Sequence, residues 1–261
     1  MSAFAQALTV QGRVIWALSL RELHGMHGET RLGYLWQIIK VGFGIAIFWF
    51  IRNLLGFHVP VGLPLPVFLL SGFIPWYMFS ELFKHSMEAG RTNRFLLNFP
   101  QITPLDIQFG SAVLTIFTHA VILLLYLALF RCLDIPWEAR NPAGLLACFL
   151  ALSAFGFGLG LVLAVLNSFF SVMEKLVPMC MRVLFFISGV WWPITRLIKT
   201  GMLETLQYNP ILNYIELLRS CFIFPEFPLQ PDAGRFFALA AAMLTLGLFL
   251  ERTFRSRLTA P

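Results

Sequence analysis

The run Ala143–Phe169, AGLLACFLALSAFGFGLGLVLAVLNSF, contains no Asp, Glu, Lys or Arg. A helix needs about 20 mostly apolar residues to cross a bilayer's hydrocarbon core, so this stretch can span and has residues to spare. Ile107–Phe130, just before it, is equally strong and carries His119 as its one titratable cation. Four weaker candidates complete the pattern: Ile38–Phe57, Leu65–Phe83, Leu176–Ile194 and Phe236–Leu250. The first carries Arg52 near its far end, and the fifth carries Arg182 inside it. The last is short, with Arg235 and Glu251 placed to snorkel to the two interfaces. Composition agrees: 58% of the 261 residues are apolar, 12% are charged, and the mean hydropathy is +0.77. A soluble domain holds about 25% charged residues. A secreted disulfide scaffold, a disordered tail and an ordinary soluble enzyme are excluded; the expectation is an all-α integral membrane protein with six transmembrane helices.

The net charge of +6 and pI near 9.5 would suggest nucleic acid in a soluble protein. In a membrane protein the distribution of Lys and Arg sets orientation instead. Eleven of the 19 fall with the N-terminal region (Arg13, Arg21, Arg31, Lys40), the loop after the second span (Lys84, Arg91, Arg94), Lys175 and the tail (Arg252, Arg255, Arg257). Seven fall on the other side. Both termini are therefore expected in the cytoplasm, and no nucleic-acid partner is expected. The N-terminus lacks the basic, apolar and small-residue succession of a cleaved signal peptide. Cys132, Cys148, Cys180 and Cys221 form no CxxC pair and lie in or beside apolar runs, so no structural disulfide is expected.

Two segments outside the spans carry information. In Phe4–Arg31, Ala7, Val10, Val14 and Leu18 form an apolar stripe beside Trp16, the pattern of an amphipathic helix lying on the cytoplasmic membrane face. In Pro193–Arg235, Ile211, Ile215, Leu218 and Phe222 recur at helical spacing, with Asn213, Glu216 and Ser220 on another face. That segment reads as short helices re-entering or lying on the outer leaflet, joined near Asn209-Pro210.

The chemistry that is missing narrows the function. Asp106, Asp134 and Asp232 lie at or outside span edges, and the ten Glu are expected to avoid span centres, with Glu174 nearest at a cytoplasmic edge. Intramembrane acids usually mark ion or proton pathways. No GxxxxGK[ST] phosphate loop, GxSxG elbow or HExxH motif is present. His24 and His27 sit three apart without acidic or thiolate companions, so no metal and no cofactor are expected. His119 reads as a packed, hydrogen-bonded side chain without a carboxylate partner. Uphill transport by such a chain must draw its energy from a partner.

Four motifs in order carry a family resemblance: Thr30–Trp36 (TRLGYLW), Ser71–Tyr77 (SGFIPWY), Asn93–Pro100 followed by Pro104-Leu105, and Tyr208-Asn209-Pro210 running into Ile215–Arg219 (IELLR). With a length near 260 and the six-span layout, the chain resembles the permease subunit of ABC-2-type exporters, closest to the capsular polysaccharide export branch. The resemblance covers nearly the whole chain: a cytoplasmic interfacial helix over 1–32, then a six-span domain over 33–261. It implies a non-enzymatic half-transporter, in which two copies of the chain pair with two copies of a separate ATP-binding cassette subunit. It also implies a lipid-linked polysaccharide substrate, a bacterial inner-membrane location and a periplasmic-spanning partner that meets residues 193–235. The cytoplasmic loop 84–105 is the expected coupling element, offering Glu88, Arg91, Asn93, Arg94 and Phe95; a solvated loop whose charges only set orientation is the alternative.

A polysaccharide offers polar edges and apolar ring faces, so its conduit wants aromatic platforms. Trp49, Trp76, Tyr77, Trp191 and Trp192 are candidates, and Arg52 joins them as a cation near a span end. Interfacial anchoring explains each Trp or Tyr taken singly; Trp191-Trp192 before Pro193 is the better stacking pair. Arg182 either meets an acidic sugar or lipid phosphate, or is neutralised by backbone carbonyls or Glu174. Gly156, Gly160, Ala164 and Ser168 permit close helix approach, by default within one subunit. O-antigen, teichoic-acid, drug and lipid exporters, and a passive channel, stand as rival functions.

Overall fold

The structure is a computed structural model that describes residues 11–13, 15–21, 33–56, 63–92, 94–98, 102–193, 206, 208–222 and 232–259. Beyond the helical residues of 11–21, the elements are α1 (Gly33–Leu54), α2 (Leu65–Thr92), a 3-10 turn (Arg94–Asn98), α3 (Pro104–Cys132), α4 (Pro142–Phe169), α5 (Met173–Ile187), α6 (Pro210–Ser220) and α7 (Ala233–Thr259). Among the described residues the extended structure is one isolated bridge between Ala139 and Phe222.

Among the described residues, five helices are long and apolar enough to cross a membrane: Leu35–Leu54, Leu65–Glu88, Pro104–Cys132, Pro142–Phe169 and Ala233–Leu258. They coincide with five of the six predicted spans. The predicted span Leu176–Ile194 differs: α5 has 15 residues, about 22 Å at 1.5 Å per residue, against a hydrocarbon core of about 30 Å. Its end is set by Gly189, whose φ of 65° is left-handed and stops the helix.

Local signals set the other boundaries. Thr103 and Asp106 form a reciprocal capping box at the start of α3, with Pro104 as first helical residue. Asn141-Pro142 and Asn209-Pro210 repeat the cap-then-proline pattern for α4 and α6.

α2 is the central helix, with 78% of its most apolar window buried, whereas the corresponding windows of α1 and α7 are 17% buried. It packs on α3 and α4, and α4 packs on α7. The α2–α4 contact depends on small residues: a Cβ on Gly160 would lie 2.6 Å from Ser86 Cβ and 2.9 Å from Phe83 Cα. Gly156 faces Phe79 and Leu82 of the same helix, so these members of the small-residue stripe serve packing within the chain. Gly160→Val is expected to destabilise the fold by about 1–3 kcal/mol, read as a lower unfolding temperature in detergent.

The N-terminal helical residues are joined to the start of α3. Leu18 is buried with Leu96 and Ile107 in a small separate core, Ser19 donates to Gly110 O at 3.0 Å, and Gln11 donates to Asp106 Oδ1 at 3.1 Å. Trp16 stays exposed, as an interfacial anchor would be. Ala7, Val10 and Val14 of the predicted stripe lie outside the described residues, as do His24 and His27.

Candidate functional site: an aromatic groove backed by buried charges

α1 packs chiefly on α2, with Tyr126 of α3 donating to Ile38 O at 2.8 Å, and α5 has no buried residue. Between them, α1, α2 and α5 enclose an open groove of about 570 Å³. Trp36, Phe43 and Phe48 of α1, Phe73 and Tyr77 of α2, and Phe185 of α5 supply its aromatic walls. The rings contact one another: Phe73 stacks with Tyr77 at 5.8 Å, and Phe48 lies 5.4 Å from both Phe73 and Trp191. Lys40 is the charged residue of the lining, its ammonium 4.3 Å above the Tyr77 ring centre.

Behind Lys40 lies a polar cluster inside the helix bundle. Lys40 Nζ donates to Glu81 Oε1 at 2.9 Å, and Gln37 Nε2 donates to Glu81 Oε2 at 3.2 Å. His119 of α3, fully buried, brings Nε2 to 3.7 Å from the same carboxylate. Its Nδ1 lies 2.9 Å from Thr115 O, and because a carbonyl only accepts, Nδ1 carries the proton. His85 Nδ1 meets Thr115 Oγ1 at 3.2 Å. The His119–Glu81 distance overturns one expectation: His119 has a carboxylate neighbour after all. Glu81, off the centre of its span, nonetheless lies within a membrane-crossing helix. The Leu65–Phe83 span already enclosed Glu81, and an acid there requires a partner; that signal was available.

A second buried charge sits where α6 meets α2 and the end of α5. Arg219 is completely buried, with Glu216 one turn before it at 2.7 Å. Its remaining donors reach Gly189 O and Val190 O at 3.0 Å each, Ser71 Oγ at 3.3 Å and Phe68 O at 3.4 Å. The guanidinium also lies 3.7 Å from the Phe68 ring centre. Gly72 makes room for this junction, since a Cβ there would collide with Val190 O. The predicted apolar face of α6 is buried as expected, at Ile211, Ile215, Leu218 and Phe222. Glu216, assigned to the other face with Asn213 and Ser220, turns inward because Arg219 pairs with it.

The conduit candidates fall in different places. Tyr77 lines the groove, and Trp191 borders it, with its Nε1 buried and lacking a hydrogen-bond partner among the described residues. Trp192 donates Nε1 to Phe186 O at 2.7 Å. Trp76 is buried against Phe79 and Phe185, and Arg52 is buried over the Phe68 ring, so neither faces the groove. Trp49 is exposed on α1. Arg182 is exposed on α5. Glu174, the partner considered for it, accepts from Asn167 at 3.2 Å.

In the predicted coupling loop Glu88 is half-buried, and Phe95 is exposed under the Arg21 guanidinium at 5.2 Å. Asn93 and the side chains of Arg91 and Arg94 lie outside the described residues. Groups of three or more potential metal ligands do not occur among the described residues, and the four cysteines are free thiols.

Comparison with known proteins places this architecture. Residues 13–223 match the model of the ABC-2 type transporter family. The chain is similar to the polysialic acid transport protein KpsM of Escherichia coli, 29% identical over 248 residues that cover 94% of each chain. It is similar to the capsule polysaccharide export inner-membrane protein BexB of Haemophilus influenzae, 23% identical over 97% of this chain and 95% of BexB. A shorter match joins it to the O-antigen export system permease protein RfbA of Klebsiella pneumoniae, 24% identical over 78% of this chain and 77% of RfbA. A multi-pass helical bundle, matched over most of its length by that family model, belongs to the ABC-2 type transporter family.

Proposed function

We propose that two copies of this chain form the conduit of an ATP-driven exporter that moves a capsular polysaccharide, lipid-linked at one end, across the bacterial inner membrane. The observation that carries this reading is the aromatic groove on the sparsely covered α1–α5 face. A chain of sugar rings offers apolar ring faces to Phe, Tyr and Trp, and a second copy turned toward the first would close the groove into a conduit. Arg182, exposed on the short α5, offers a cation to a facing copy or to an acidic sugar. The full-length similarity to capsule export permeases favours this polymer over drugs or simple lipids, and it favours capsule over O-antigen chains.

The energy comes from a separate ATP-binding cassette subunit, because the chain has no phosphate loop of its own. Its seat is the loop with Glu88, Arg91, Asn93, Arg94 and Phe95, which the Leu18–Leu96–Ile107 core ties to the N-terminal helix. Both termini face the cytoplasm in this arrangement, and residues 193–235 face the periplasmic partner. α5 starts beside the end of α4 and leads to Val190, which packs on Gly72 near the start of α2, so the sixth crossing is made without a full-length helix. Replacing Arg91 and Arg94 together with alanine is expected to lower co-purification of the ATP-binding subunit at least fivefold; unchanged co-purification and export would remove the loop from that role.

The function is tested by expressing the chain with its ATP-binding subunit in a capsule-producing strain that lacks its own permease. Polymer at the cell surface is the expected result. Polymer retained in the cytoplasm despite membrane insertion of both subunits would count against the reading.

A further inference from the structure

We infer that Lys40 is the seat for an anionic oxygen group of the transported molecule, a carboxylate or a phosphodiester, with Glu81 and His119 as its exchange partners. The inference rests on the export reading above and specifies where the groove would hold charge.

Lys40 is the charged member of an otherwise aromatic and aliphatic lining. Its side chain is 39% exposed, whereas that of Glu81 is 15% exposed, so the ammonium stands between the groove and the buried carboxylate. An ammonium has three donors; one goes to Glu81 and its cationic face lies over Tyr77. The surroundings can take up an incoming anion. Lys40 at 2.9 Å balances the Glu81 charge, and His119 Nε2, 3.7 Å from the same carboxylate, offers a basic nitrogen that can add one positive charge when an anion arrives.

The geometry of His119 shows how the site could accept the anion. With Nδ1–H held by Thr115 O, Nε2 presents a lone pair toward Glu81 and has no hydrogen-bond partner. Two acceptors therefore face each other across 3.7 Å. A proton taken up at Nε2 would turn this opposition into a charge-assisted hydrogen bond and draw Glu81 from Lys40. The freed ammonium would then pair with the anion in the groove. Charge balances, since one anion and one proton enter together.

Binding to the purified full-length protein in zwitterionic nanodiscs tests the site. The probes are a sialic acid pentamer, a neutral maltopentaose and a short-chain phosphatidylglycerol. At least one anionic probe is expected to bind, at least tenfold more weakly to Lys40→Gln, with Lys40→Arg within about threefold of the native chain. A response to the pentamer alone assigns a sugar carboxylate; a response to the phospholipid alone assigns an anchor phosphate. Glu81→Gln, which removes the competing carboxylate, is expected to bind the anionic probe several-fold more tightly, an effect that lost packing would not produce. Equal anion affinity in Lys40→Gln, no tightening in Glu81→Gln, or binding of neither anionic probe would each overturn the assignment. Surface polymer in the strain assay is scored separately, so a chain that exports polymer while failing these tests loses the site and keeps its function.

Discussion

Arg219→Met is expected to destabilise the protein by about 3–5 kcal/mol, the usual cost of leaving a buried charge without its partner. Arg219 holds the end of α5 through Gly189 O and Val190 O, and holds α2 through Ser71. Its loss releases those carbonyls and leaves Glu216, 1% exposed, facing an apolar side chain. The double variant Glu216→Gln, Arg219→Met removes the orphan charge and should recover part of the loss, which a double-mutant cycle by thermal unfolding would read. The single variant carries a pH signature as well. Burial already pushes the Glu216 carboxyl above its ordinary range, opposed by the Arg219 charge. Without Arg219 the folded-state pKa stays raised over the unfolded value. Stability is then complete below the ordinary carboxylate pKa and is lost as pH rises through the raised one, by about 1.4 kcal/mol per pH unit within that window. The native chain, with its pair intact, should show a smaller slope. Equal slopes would mean that Glu216 does not depend on Arg219.

Tyr77→Ala combined with Phe185→Ala is expected to reduce export at least tenfold, equivalent to about 1.4 kcal/mol, while the protein still inserts and retains its ATP-binding subunit. Both rings face the groove, from α2 and α5; Phe73, beside them in the wall, contacts both, and Trp76 packs on Phe185. Their removal widens the groove and takes away two platforms for sugar faces. Trp49→Ala, on the exposed part of α1, should change export less than the groove pair does. Comparing the two variants by surface polymer, at matched membrane levels, separates a conduit wall from interfacial anchoring.

Much of the architecture was legible because a membrane span is written in consecutive residues. Ala143–Phe169 and Ile107–Phe130 needed no tertiary information, and Asn209-Pro210 marked the start of α6. Charged side chains were less legible, because hydropathy locates a charge along a helix but not the neighbour it faces. Arg182 looked decisive since it interrupts an apolar run, yet it lies exposed on a 15-residue helix. Arg219, which looked like an outer-loop charge, is buried by residues as far back as Phe68, 151 positions away. Glu81, Lys40 and His119 belong to three different helices, and only packing brings them together. Tyr77 could be named from sequence as a platform, whereas Phe48, Phe73 and Phe185 were hidden among 28 phenylalanines.

The most direct test of the central claim is translocation in proteoliposomes that hold this chain, its ATP-binding subunit and a radiolabelled lipid-linked polysaccharide. The account predicts that added ATP moves the polymer across the membrane into a compartment protected from external glycosidase, and that a non-hydrolysable ATP analogue does not. Equal protection with and without hydrolysis, or polymer passage by this chain alone, would contradict it and leave a passive channel.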